Sequence, residues 1–205
     1  MEEQIKTIDE KGAADVVAVL AETAQLVAMT PLTGGVSANT YMLETSQADG
    51  ASVRWVLREH GASHSGHSAK TEFALLKALH QQGFRVPEPL LCDVSHRLSA
   101  YDFIVMSYIE GGSNIPVESL DHCIAAMAEE LWNIHCLPVE VLPNLPPRLN
   151  PVPEVFDYLP IGSEWSQLHA RLRTLKDTGY QGRPCLLHGD YWPQNLLWQY
   201  GQIGG

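Results

Sequence analysis

Cysteine is scarce in this chain and scattered. Cys92, Cys123, Cys136 and Cys185 form no Cys-x-x-Cys pair, which excludes a zinc knuckle or a thioredoxin-like redox site of that pattern and leaves free thiols in a reducing compartment as the expectation. Positive charge is also short, with 13 Lys and Arg against 24 Asp and Glu, a formal net charge of −11. An acidic surface repels polyanions, so neither nucleic acid nor an anionic membrane surface is expected as principal partner. A cationic small substrate would suit this balance, although solubility alone also accounts for it. Long apolar runs are missing: the most apolar segment, residues 13–29, is interrupted by Asp15 and Glu22, and nothing else is long and clean enough to span a bilayer. The opening Met1-Glu2-Glu3 lacks the basic start and apolar run of a signal peptide. A cytoplasmic protein is expected.

The rest is ordinary globular composition, 45% hydrophobic and 18% charged over 205 residues, enough for one large domain or two small lobes. From about Asp9 to Ala28 apolar residues recur at helical intervals (Val16, Val19, Leu20, Leu26), predicting an amphipathic helix or a helix running into a strand. Leu32 to Thr40 is a small-residue turn containing Gly34 and Gly35, with Val36, Ser37 and Asn39 beyond them. Paired glycines allow close backbone approach to an anion such as phosphate, and they also make plain hairpin turns. Alternating segments at 40–45 and 52–58 flank Asp49-Gly50, which predicts a hairpin. Arg58 closes the second of these strands, where it is either a phosphate-binding cation or a solvated strand end.

His60, His64 and His67 lie in a Gly- and Ser-rich stretch. No Cys or carboxylate at suitable spacing completes a metal shell, so a mobile loop is the simpler reading. Ser68 is placed to cap a helix running to about Gln82, with Phe73, Leu76 and Leu79 on one face and Gly83 as its stop. Glu72 in the first turn suits the helix dipole, and it could equally orient Arg58 through an ion pair. Residues 90–95 and 101–109 read as two further strands, for a sheet of about five. Glu110-Gly111-Gly112-Ser113 marks a boundary, after which helices are predicted at 120–137 and 163–175, both core-forming. Between them, residues 138–160 hold seven of the thirteen prolines, which excludes a regular helix or central strand.

Near the end, Leu186-Leu187-His188-Gly189-Asp190-Tyr191-Trp192-Pro193-Gln194-Asn195-Leu196-Leu197-Trp198 sets a polar turn between apolar pairs. Asp190 and Asn195 have the spacing of a phosphotransferase catalytic loop, in which Asp accepts a hydroxyl proton and Asn holds a metal ion. The same two residue types also cap backbone groups in ordinary loops.

The order of parts (glycine turn, Arg58 on a strand, Glu72 on the next helix, a strand ending at a glycine boundary, helices, then His-Gly-Asp-x-x-x-x-Asn) resembles the aminoglycoside phosphotransferase family, in the broad sense that includes choline-kinase-like small-molecule kinases. The resemblance covers most of the chain. It implies an α+β, protein-kinase-like fold: an N-terminal antiparallel sheet lobe with one or two helices over residues 1–109, which binds nucleotide, and a mostly helical C-terminal lobe over 110–205, incomplete here. It implies ATP and Mg2+ as cofactors and a hydroxyl of a small molecule as acceptor. Asp190 would be the catalytic base and Asn195 a magnesium ligand, with His188 a structural hydrogen-bonder. Gly34, Gly35, Val36, Ser37 and Asn39 would cover the nucleotide phosphates, although the spacing Gly-x-Gly-x-x-Gly is absent. Arg58 stands where protein kinases carry lysine, paired with Glu72, and Met106, Ser107, Tyr108 and Ile109 look like the linker that contacts adenine. The family's second magnesium-binding aspartate, on a strand after the catalytic loop, has no counterpart up to Gly205. A fragment with little or no activity of its own is therefore expected, and a catalytically inactive nucleotide-binding or scaffold protein is the alternative.

Overall fold

A computed structural model describes residues 7–32, 38–61, 67–115, 119–147, 162–175 and 182–205. The chain divides into two compact units, residues 1–143 with 186–205 and residues 144–185. The first begins with helix α1 (Glu10–Leu20), whose N-cap Asp9 accepts a hydrogen bond from the Gly12 N–H at 2.9 Å. Strands β1 (Gln25–Pro31), β2 (Asn39–Ser46) and β3 (Ser52–His60) follow. The 9–28 periodicity thus resolves as a helix running into a strand. Val19 and Val27 both face solvent, because the buried stripe of α1 is Ala13, Val16 and Val17.

Asp49-Gly50 turns the β2–β3 hairpin as expected. Gly50 takes φ +82°, and Asp49 accepts the Ala51 N–H. Helix α2 (Ala69–Gln81) starts at the Ser68 cap and stops before Gly83, which takes φ +83°. Strands β4 (Pro89–Asp93) and β5 (Asp102–Ser107) complete an antiparallel sheet of order β1-β2-β3-β5-β4.

The strand period of two sorts β3 and β5 onto two faces. Trp55, Leu57, Phe103 and Val105 join Val16, Val17 and Leu43 in one cluster beneath α1. Val56, Ile104 and Met106 face the other way, packing with Ala69, Phe73 and Leu76 of α2. Each valine buried against α1 contributes about 1.5–3 kcal/mol. The β3 residue after Leu57 and Arg58, Glu59, is fully buried on the α1 side. There its Oε1 accepts the Ile8 N–H at 2.8 Å and the Ser99 hydroxyl at 2.5 Å.

Beyond β5, helix α3 (Leu120–Cys136) and the short hairpin β6 (Trp198–Gln199) and β7 (Gln202–Ile203) enclose a third cluster of Cys123, Leu196, Trp198 and Ile203. Trp198 is tied to the glycine boundary, since its N–H donates to Gly112 O at 2.7 Å and its carbonyl accepts the Gly112 N–H at 3.1 Å. At the adjoining Gly111 (φ +151°) a Cβ would meet Trp198 O at 3.1 Å, so the close approach requires glycine. Arg85 Nη1 reaches the Ile203 carbonyl at 2.6 Å.

In the proline-rich region the described residues hold one 3-10 turn, Val139–Val141. In the second unit a 3-10 turn (Ser163–Trp165) leads into α4 (Ser166–Leu175). Trp165 and Leu168 there are exposed, against the core role expected of them; helical spacing marks an apolar stripe without saying what covers it. Among the described residues, no helix is long and apolar enough to cross a membrane.

Candidate active site

The loop from Leu186 to Trp198 is anchored at both ends and shaped in the middle. Leu186, Leu196 and Trp198 are buried, whereas Leu187 is exposed, so the bracketing apolar pairs are not equivalent. Gly189 adopts φ +86° immediately before Asp190, a conformation that glycine reaches without Cβ strain. Pro193 opens a 3-10 turn through Asn195, with the Asn195 N–H donating to Trp192 O at 2.9 Å. The indole of Trp198 donates back to Pro193 O at 3.1 Å.

This turn brings Asn195 back onto Asp190. Its amide nitrogen donates to Asp190 Oδ2 at 2.8 Å and to the Asp190 carbonyl at 3.0 Å. Both side chains lie in exposed positions. With its NH2 committed to Asp190, the amide turns its oxygen the other way, where a hard cation could use it; the donor chemistry therefore fits magnesium. Tyr191 points inward and donates its hydroxyl to Met127 O on α3 at 2.9 Å. Burial, and then the Glu130 carboxylate, raise its phenol above the ordinary value of 10.0. His188, expected to be a hydrogen-bonder, instead packs edge-on against Tyr191, with ring centroids 5.3 Å apart.

The second group of candidates sits on the α2 face of the sheet. Arg58 Nη1 lies 3.2 Å from Glu72 Oε1, which forms the expected ion pair. Among the described residues, Arg58 Nε is buried and has no hydrogen-bond partner, an arrangement that leaves donors for an incoming anion. His60, two residues along β3 and therefore on the same face, places Nε2 3.2 Å from the other oxygen of Glu72. Its sequence signal was the two-residue spacing from Arg58, obscured by the neighbouring His64 and His67. His64 lies outside the described residues, and among those described no group of three or more potential metal ligands occurs.

Asn39 is exposed at the start of β2, opposite Glu59, and the next residue, Thr40, pairs with Arg58. The register therefore brings the last residue of β1, Pro31, and the first residues of β2 to the end of the sheet that holds Arg58. Gly34, Gly35, Val36 and Ser37 lie outside the described residues. Met106 and Ser107 belong to β5, with Met106 paired to both Val56 and Pro89, so the segment after the strand begins at Tyr108. There the Tyr108 N–H donates to Arg54 O at 3.3 Å, the Arg54 guanidinium lies 4.4 Å from the Tyr108 ring centroid, and Arg54 pairs with Glu110. Ile109 follows and lies against Gly205. Arg54 was not singled out from sequence, where it reads as an exposed strand cation.

A sheet flanked by α1 and α2, followed by α3 and an Asp-x-x-x-x-Asn loop, is a protein-kinase-like α+β arrangement. The sequence profile of the phosphotransferase enzyme family (APH) matches residues 28–205. The chain belongs to that family. Solved structures share the fold. A Ralstonia eutropha JMP134 protein assigned to the aminoglycoside phosphotransferases aligns with TM-score 0.69 and 13% identity, over 96% of this chain and 63% of that one. A thermostable mutant of aminoglycoside phosphotransferase APH(4)-Ia, in ternary complex with AMP-PNP and hygromycin B, aligns with TM-score 0.59 and 12% identity, covering 94% and 69%. The macrolide 2'-phosphotransferase MphH from Brachybacterium faecium aligns with TM-score 0.55 and 13% identity, covering 95% and 69%. The chain thus spans 63% of the Ralstonia protein's length. No curated protein sequence matches it significantly.

Proposed function

We propose that this chain carries the nucleotide site and catalytic loop of a kinase that moves a phosphoryl group from ATP or GTP to a hydroxyl of a small molecule. The observation that carries the reading is the fixed pair of Asp190 and Asn195 in the loop. One Asp190 oxygen accepts from Asn195 at 2.8 Å, and the other is left to orient an acceptor hydroxyl and take its proton. Arg58, aligned by Glu72, binds nucleotide phosphates, with Gly34, Gly35, Val36, Ser37 and Asn39 covering them and Met106, Tyr108 and Ile109 beside the base. Asn195 would hold Mg2+, which supplies charge neutralisation across the phosphates when bound. The functional division follows: residues 1–109 hold nucleotide and 110–205 carry the catalytic loop. Four free cysteines support a reducing, cytoplasmic setting.

The test is turnover. In the gene product assayed with Mg·ATP against a panel of amino sugars, sugars and amino alcohols, Asp190→Asn should lower ADP release at least about 100-fold and leave nucleotide affinity within about twofold. Equal turnover in parent and variant would overturn the reading.

A further inference from the structure

Strand β3 carries a second arginine on the face that holds Arg58. Alternation along the strand buries Trp55, Leu57 and Glu59 on the α1 side and leaves Arg54, Val56 and Arg58 on the other. The two arginines stand four residues apart, about 13 Å along an extended strand. That is of the order of the span of a nucleoside triphosphate from its base to its last phosphate. Arg58 marks the phosphate end of the proposed site, and Arg54 lies where the chain leaves β5. Trp55 and Ser107 are the last residues in register between β3 and β5 on that side, and beyond them Arg54 continues the hold on the departing chain. Its carbonyl accepts the Tyr108 N–H at 3.3 Å, its guanidinium lies 4.4 Å from the Tyr108 ring centroid, and it pairs with the Glu110 carboxylate.

We infer that Arg54 is a positioning residue for the nucleotide base: it fixes residues 108–110, the segment against which the base would lie. This rests on the nucleotide-site reading above. A guanidinium is flat and always charged, so its face stacks on a ring while the N–H groups around its edge reach a carboxylate. One side chain thereby holds Tyr108 and Glu110 together. Each contact is weak on its own, because cation–π and ion-pair energies are small where water reaches them, but both act on the same three residues. The far end of the segment is held independently. Gly112 exchanges two backbone hydrogen bonds with Trp198, and a Cβ at Gly111 would meet Trp198 O at 3.1 Å. Tyr108, Ile109 and Glu110 therefore run between two fixed points, and Arg54 sets where the first of them stands.

Two variants of the gene product test this. Arg54→Met keeps an unbranched stem beside the Tyr108 ring and loses the charge and the donors, whereas Arg54→Lys keeps the charge without the flat group. Calorimetric titration with whichever of Mg·ATP and Mg·GTP the parent binds should show Arg54→Met binding about fivefold more weakly and Arg54→Lys about twofold. Amide hydrogen exchange separates positioning from a general loss of structure. In Arg54→Met the Tyr108 and Ile109 amides should exchange about fivefold faster, with the Leu57 amide in the middle of β3 unchanged. Unchanged nucleotide affinity in Arg54→Met would overturn this inference and leave the nucleotide site standing, as would exchange that stays the same at Tyr108 or rises equally at Leu57. No nucleotide binding by the parent would overturn the site reading and this inference together.

Discussion

The side-chain amide of Asn195 grips Asp190 twice, at the carboxylate (2.8 Å) and at the backbone carbonyl (3.0 Å). A residue five positions away thereby sets both the rotamer of the acid and the curvature of the turn that presents it. The bonds are exposed, so their worth lies in orientation more than in stability.

Removing that grip should separate metal binding from nucleotide binding. Asn195→Ala should leave nucleotide affinity without magnesium within about twofold of the parent and lose most of the increase that magnesium brings. Titrations with and without the ion check this. An undiminished magnesium effect in the variant would rule out the proposed role of Asn195 as a metal ligand.

Tyr191 ties the same loop to α3 through Met127 O at 2.9 Å. Tyr191→Phe should cost about 0.5–1.5 kcal/mol by urea melts at neutral pH. Its pH dependence has a definite sign. Burial and Glu130 raise the folded phenol above 10.0, so its contribution is intact below the unfolded value and is lost as pH rises through the folded one. The parent should therefore lose stability above about pH 10, and the phenylalanine variant should lose less over the same interval.

Glu59 is a fully buried acid that holds Ile8 and Ser99 together. Glu59→Leu strands the Ile8 N–H and the Ser99 hydroxyl in the interior, and denaturant midpoints should fall by the equivalent of about 2–4 kcal/mol. Glu59→Gln keeps an acceptor and should cost about half of that or less. A leucine variant as stable as the parent would show that α1 does not depend on this anchor.

Much of the fold was legible locally because its signals are local. Asp49-Gly50 requires a positive φ, Ser68 and Gly83 bound one helix, and the glycine run at 111–112 separates sheet from helices. The Asp-x-x-x-x-Asn spacing was visible for the same reason, since a single turn brings those two residues together. The alternation of β3 was legible only as far as Arg58; the structure extends β3 to His60, which puts Arg58 and His60 on one face and Glu59 on the other.

What lies opposite that face is another matter, because register and helix placement are set by contacts across 14 or more positions, as for Arg58 and Glu72. Only the tertiary structure decided that His60 lies beside Glu72 and that Glu59 is buried under α1 between Ile8 and Ser99. It also decided that Met106 lies inside β5 rather than in a linker, since Val56 and Pro89 flank it on both sides. Spacing along a chain fixes which side chains point the same way. Which partners they find depends on the packing of the hydrophobic faces, and that is a property of the whole chain.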